Sequence, residues 1–282
     1  MYDTIVQINN STIQHGSQNK RIYLMHLATE DMPQILDVIH NMADKNFYTK
    51  IFAKVPEAFI PTFLENGYVM EAHVPFYFNA TENCIFMAKY LDASRSISTT
   101  SELNKKVLES AIAKGTSMAL ETKVVLKKDF LFRKANTNDV FAMANLYSKV
   151  FDSYPFPIFE PEYIKQTMEN NVIYFGIWKG NDLIALSSCE ISLEDKNVEM
   201  TDFAVDPIYR GHKLALFLLT EMEKEMKKQE IKTAYTIARA VSYGMNATFA
   251  KCGYVFSGTL INNTQIGGKI EDMNVWFKSL QQ

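Results

Sequence analysis

The chain has 282 residues, 47% of them hydrophobic and 22% charged, with a formal net charge of −3. This is the profile of a globular protein able to build real cores, and the length suggests two domains rather than one. The charge balance argues against nucleic-acid binding, which shows a strongly basic face, and no run approaches the roughly 18 apolar residues of a membrane span.

Three cysteines, Cys84, Cys189 and Cys252, lie far apart with no CxxC pair and no metal-ligand spacing. They read as small buried thiols in a reducing compartment, with no metal site. The polar N-terminus lacks a signal-peptide apolar core, so the expectation is a soluble cytoplasmic protein with no membrane partner.

In chain order, "DMPQILDVIHNMADKN" reads as a helix and "YTKIFAKV" as a strand, then comes "AFIPTFLENGYVMEA", and "CIFMAKYL" reads as a strand. The apolar pattern stops at "YLDASRSISTTSELNKK", and a helical stretch over about 102–113 leads onward. We therefore divide the chain into 1–92, a helical connector 93–128, and 129–282.

The second segment opens with a strand at 130–136. Thr137, Asn138 and Asp139 then cap a helix in which Val140, Met143, Ala144 and Tyr147 recur at helical spacing. A proline- and aromatic-rich loop, "DSYPFPIFEP", precedes a short helix at 161–170. "VIYFGIW" and "DLIALSSCEI" are strands joined by a Lys179-Gly180-Asn181 turn, and "VEMTDFAV" is a third. "HKLALFLLTEMEKEMKKQ" is an amphipathic helix with Leu214, Leu218, Met222 and Met226 on one face. The strand "TAYTIARA", a helix in "YGMNATFAKCGY", and strands at 254–262 and 270–278 close the chain. Strands and helices in this order pack as a mixed sheet with helices on both faces.

The first segment echoes the later half of the second. In both, a Phe stands four residues before Gly-Tyr: Phe63 before Gly67-Tyr68, and Phe249 before Gly253-Tyr254.

One junction concentrates polar chemistry. In "DFAVDPIYRGHKLALFLL" a strand passes through Arg210, Gly211 and Lys213 into the Leu/Met helix. A helix N-terminus offers unpaired N–H groups and the positive end of its dipole, and Gly211 lets backbone approach a ligand, so the junction suits an anion such as phosphate. The same three residue types also make an ordinary solvated turn.

With the "NATFAKCGY" that follows it, this junction resembles the GNAT acetyltransferase superfamily, whose acetyl-CoA turn is of the type Arg/Gln-x-x-Gly-x-Gly/Ala. Arg210 and Ala215 match, whereas Lys213 stands where glycine is usual. The resemblance implies an α+β (mixed α/β) GNAT fold, a mostly antiparallel mixed sheet flanked by helices, preceded by a partial GNAT-like unit. It implies acetyl-CoA as cosubstrate. The pyrophosphate would lie on the amides of Gly211, His212, Lys213, Leu214 and Ala215 beside Arg210, and the pantetheine arm along Phe203, Ala204 and Val205. Asn246 would contact that arm, and Phe249 occupies the place of the tyrosine that serves many relatives as general acid. Tyr243 and Cys252 are nearby in sequence, and no acid is assigned.

Amine attack needs a base, because an ammonium has no lone pair. Glu199 aligns with the base of some relatives and is the first choice, with Asp202 second. The two are three residues apart on one strand, so regular alternation would send them to opposite faces. Glu190 on the preceding strand, Asp152 and Tyr154 in the aromatic loop, and Arg239 for a carboxylate are the acceptor-binding candidates. An ordinary surface ion pair is the alternative for Arg239.

Finally, "IQHGSQNKRIYLMHL", "YTKIFAKVP" and "NGYVMEAHVPFYF" resemble the β-lysine N-acetyltransferases, which pair with lysine 2,3-aminomutase. That resemblance implies β-lysine as the acceptor, acetylated on its terminal (N6) amine to a compatible solute. Other small amines (a polyamine, another diamino acid, an aminoglycoside) or a non-catalytic CoA-sensing module are the alternatives. The first segment lacks the Arg-Gly turn and is expected to bind no CoA and to pack against the second. Homodimerisation through an apolar face stays open.

Overall fold

The structure, a computed structural model, describes residues 2–118 and 124–281. The chain opens with three short antiparallel strands that the sequence reading did not resolve: β1 (Thr4–Ile8), β2 (Ser11–Gly16) and β3 (Arg21–His26). Helix α1 (Gln34–Lys45) buries Ile35, Leu36, Ile39 and Ala43, a stripe at helical spacing. Strand β4 (Lys50–Pro56), helix α2 (Ile60–Glu65), β5 (Val69–Phe78) and β6 (Glu82–Tyr90) complete a six-stranded sheet, ordered β1-β2-β3-β4-β6-β5. Helix α3 (Ser101–Met118) falls in the segment read as a helical connector and is longer at both ends than its apolar pattern suggested. Residues 119–123 of the connector lie outside the described residues.

The second half holds β7 (Phe130–Lys134), α4 (Val140–Val150), α5 (Pro161–Glu169), β8 (Val172–Lys179), β9 (Asp182–Ser192) and β10 (Asn197–Val205). After these come α6 (Leu214–Lys228), β11 (Thr233–Arg239), α7 (Tyr243–Lys251), β12 (Val255–Ile266) and β13 (Lys269–Ser279). The strands form a seven-stranded sheet ordered β12-β13-β11-β10-β9-β8-β7, with β10 and β11 parallel and every other pair antiparallel. The capping residues act one step earlier than expected. Asn136 and Asp139 form a reciprocal capping box around a 3-10 turn that leads into α4.

The echo is topological and runs further than the sequence showed. Strands β1 to β6 pair among themselves as β8 to β13 do, including one parallel pair, β3 with β4. Helix α1 stands where α6 does and α2 where α7 does. The Phe and Tyr rings of the shared signature meet edge to face in both copies, at 4.8 Å for Phe63–Tyr68 and 5.2 Å for Phe249–Tyr254.

Each sheet buries one face under its own helices. The other faces share a single core, in which Tyr23, Phe52, Tyr77 and Phe86 of the first half meet Tyr174, Leu186, Tyr235 and Met273 of the second. The equivalent strands β5 and β12 also meet. The Glu71 carboxylate on β5 accepts from the Ile261 N–H at 2.7 Å, and Lys50 is bound to both the Glu71 carboxylate (2.8 Å) and the Ile261 carbonyl (2.7 Å). At Gly258 (φ +154°) a Cβ would stand 2.1 Å from the Glu71 carbonyl oxygen, so glycine is what lets the strands come this close.

Candidate active site

Strands β10 and β11 pair only from Asn197 to Glu199, against Thr233 to Tyr235. Beyond that point they separate, and Thr201, Phe203 and Val205 on one strand and Thr236 to Arg239 on the other line a cavity of about 760 Å³. The cause is a bulge. Between Thr201 and Ala204, two residues of β10 face one of β9, and Asp202 takes a left-handed φ of 54°.

The bulge also corrects the expectation that Glu199 and Asp202 face opposite ways. The extra residue resets the alternation, and both side chains line the cavity. Glu190 joins them, directly across from Glu199 on β9. Like charges in this register repel. Burial first, then Glu199 and Asp202, push the Glu190 carboxyl well above the usual carboxylate range, against the pull of Lys54. Burial raises Glu199 as well, opposed by Lys54 and the Tyr235 phenol. Asp202 is raised by burial and held back by its donors: Ser188 Oγ at 2.6 Å and Tyr154 Oη at 2.5 Å. No side chain or backbone group among the described residues donates to the Glu190 carboxyl, and no hydrogen bond is among the causes that act on it.

At the other end of the fork stands the start of α6. Its first hydrogen bond runs from the Phe217 N–H to the Lys213 carbonyl (3.0 Å), so the N–H groups of Leu214, Ala215 and Leu216 precede the ladder. All three residues line the cavity with Arg210, Gly211 and Lys213. Lys213 adopts φ +58°, the left-handed conformation that glycine usually supplies, so the substitution leaves the path of the turn intact. Gly211 (φ +87°) has open space where a Cβ would stand.

The opposite wall, not legible as such in the sequence, comes from the first half. Arg21, Tyr23 and Met25 of β3 and Phe52 and Lys54 of β4 alternate onto the cavity. The alternation in "RIYLM" was the available signal. Burial works against the Lys54 ammonium, but the phenols of Tyr23 and Tyr77 and the Glu199 carboxylate outweigh it and hold its pKa above the usual lysine value.

Several expected residues fall elsewhere. Asn246 is fully buried and lies outside the cavity lining. Its amide nitrogen donates to the Arg239 and Ser242 carbonyls, and its oxygen accepts from Asn274 and Trp276. It therefore ties β11, α7 and β13 together and has no capacity left for a pantetheine arm. Asp152 is exposed and lines nothing, whereas Tyr154 from the same loop lines the cavity and holds Asp202. Ala204 and His212 turn away, which leaves them only backbone roles. Arg239 lines the cavity but has its Nε and Nη2 on the Glu271 carboxylate at 2.7 and 2.8 Å. Phe249 lines it as well, edge-on to Phe203 at 5.6 Å, and brings no proton. Of the two residues near it in sequence, Tyr243 lines the cavity; Cys252 does not, and burial pushes its thiol up to about 12.

The acetyltransferase (GNAT) family matches residues 141–254. A "Beta-lysine N(6)-acetyltransferase" of Methanococcus maripaludis is 41% identical over 276 residues, 98% of each chain. The chain belongs to the GNAT acetyltransferase family. The "N-acetyltransferase YodP" of Bacillus subtilis is 33% identical over 270 residues (96% of each chain), and a "Beta-lysine N(6)-acetyltransferase" of Methanosarcina mazei is 34% identical over 231 residues (76% of this chain, 85% of that one). The second half is thus a GNAT domain preceded by an additional sheet unit, and the family implies acetyl-CoA as cosubstrate. The open Gly211 turn, the free helix N–H groups and the unpaired edges of β10 and β11 fit that molecule. No helix among the described residues is long and apolar enough to cross a membrane.

Proposed function

We propose that this GNAT enzyme transfers an acetyl group from acetyl-CoA to the terminal N6 amine of β-lysine, giving N6-acetyl-β-lysine. Two relatives carry that activity in their names, one of them matched along nearly the full length of both chains. The carrying observation within the molecule is the convergence of three carboxyl groups, half-buried Glu190 and Glu199 and buried Asp202, on the apex of the β10–β11 fork.

Acetyl-CoA supplies an activated thioester carbonyl. The amides at the start of α6, with Arg210 and Lys213, hold its pyrophosphate, and the free edge of β10 at Phe203 and Val205 receives the pantetheine amides. A backbone N–H near Ala204 or Val205 donates to the carbonyl oxygen as charge develops there. Glu199, at the apex with a raised pKa, takes the proton that the ammonium must lose, directly or through one water. Asp202 is already held by Ser188 and Tyr154 and fixes the wall around the amine. Glu190 adds negative charge for a cationic acceptor. The departing thiolate has no side-chain acid at Phe249.

Acetylation removes one positive charge, so a cationic diamino acid becomes a net-neutral zwitterion. Such a molecule accumulates without counterions, as a compatible solute must, and a lysine 2,3-aminomutase would supply the acceptor. Turnover of β-lysine with acetyl-CoA, with the acetylated nitrogen located by NMR, tests this reading.

A further inference from the structure

The cavity is electrically lopsided. The carboxyl groups Glu190, Glu199 and Asp202 come from the GNAT sheet, while Arg21 and Lys54 come from the first sheet. Three other buried or half-buried cations among the described residues are held by partners. Lys50 is held by Glu71, Arg239 by Glu271, and Arg95 donates to the carbonyls of Asn262 and Asn19 and to the Thr49 hydroxyl.

Arg21 differs. It is only 3% exposed, and its Nη1 donates to the Asn263 carbonyl and to Thr264 Oγ1. Its Nε is buried with no acceptor. No described residue accepts from Nη2, and no described carboxylate lies within ion-pair distance of the guanidinium. The rings of Tyr23 and Phe52 pack around it, with their centroids 5.2 and 5.7 Å from Cζ. Burial lowers its pKa only to about 10, so it remains charged at neutral pH. Asp3 and Glu71 favour its charge only from beyond contact; a buried guanidinium that no carboxylate touches is costly unless a ligand completes it, and its planar fork matches a carboxylate.

We propose that Arg21 binds the carboxylate of the acceptor, so that the first sheet unit lets the enzyme distinguish a diamino acid from a diamine. This deepens the acceptor reading above and rests on it. An acceptor with an amine at one end and a carboxylate at the other matches the charge pattern from the GNAT wall to the first-sheet wall. A diamine would point a second cation at Arg21. Arg239, the arginine that the sequence put forward for this task, already has its carboxylate in Glu271.

The test is the specificity ratio, kcat/KM for β-lysine over kcat/KM for 1,4-diaminopentane, which is β-lysine without its carboxylate. It is measured on the full chain for the wild type, Arg21→Gln and Arg21→Lys. Wild type favours β-lysine, and Arg21→Gln lowers the ratio by about 10- to 100-fold through the KM for β-lysine. Arg21→Lys restores part of the loss, and the KM for acetyl-CoA stays put in both variants. A purely structural role for Arg21 lowers both acceptors together and leaves the ratio unchanged, which overturns the proposal. If Arg21→Gln does not fold, the wild type still decides, since equal use of both acceptors removes any need for a carboxylate partner. A wild type that turns over neither acceptor overturns the β-lysine reading itself, and the role of Arg21 falls with it.

Discussion

Glu199 and Glu190 sit side by side on adjacent strands and share one cavity, yet their surroundings differ. Glu199 faces Lys54 and the Tyr235 phenol, which stabilise its ionised form, whereas Glu190 has no hydrogen-bond donor among the described residues. Removing the proposed proton acceptor by Glu199→Gln should lower kcat by about 10²- to 10⁴-fold with the KM for acetyl-CoA unchanged, and should flatten the alkaline rise of the kcat/KM profile. Glu190→Gln should behave differently and stabilise the fold. Because the folded-state pKa of Glu190 lies above its ordinary 4.5, its contribution to stability is full below that value and is lost as pH rises through the folded pKa. The advantage of the Gln variant in urea melts should therefore be near zero at acid pH and grow to about 1 kcal/mol at neutral pH. An equal effect at all pH values would assign the change to packing instead of charge. The three carboxylates were legible in the sequence as candidates. Their convergence was not, because a bulge at Asp202 leaves no mark in the residue pattern that distinguishes it from regular alternation.

At the scale of the elements, the α6 junction shows how a motif can lose a residue and keep its geometry. Lys213 holds the left-handed backbone that a glycine would hold without strain, at a cost of about 1 kcal/mol. It adds a cation beside the helix N-terminus. Lys213→Gly should separate the two effects: stability rises by about 1 kcal/mol as the strain goes, while the KM for acetyl-CoA rises several-fold. A fall in stability would show that the lysine side chain packs in a way that outweighs the strain. The long elements after residue 130 were readable because their caps, turn residues and helical stripes agree with the fold. The hairpins β1 to β3 were not. They are five or six residues long, and β1 is largely exposed while β3 is buried from Arg21 to Leu24, so no alternation is sustained across the three. Arg21, the cavity residue they carry, was missed with them.

Across the whole molecule, two units of one topology meet through their shared core and through the equivalent strands β5 and β12. The first unit enters α1 through Pro33, without an Arg-Gly turn, and its contribution to the site is the wall that faces the GNAT fork. The duplication was visible in the Phe-x-x-x-Gly-Tyr signature. Its consequence for the site was not, because the cavity is formed by residues far apart in the chain that only the packing of two sheets brings together. On the function proposed above, this joint cavity accepts β-lysine and directs its terminal amine to the thioester. The most direct test is steady-state CoA release with acetyl-CoA and β-lysine, α-lysine, ornithine, spermidine and an aminoglycoside in turn, with each product's acetylated nitrogen located by mass spectrometry and NMR. The expected result is the highest kcat/KM for β-lysine, with acetylation at N6. Preference for spermidine or the aminoglycoside, or acetylation of β-lysine at its other amine, would contradict it.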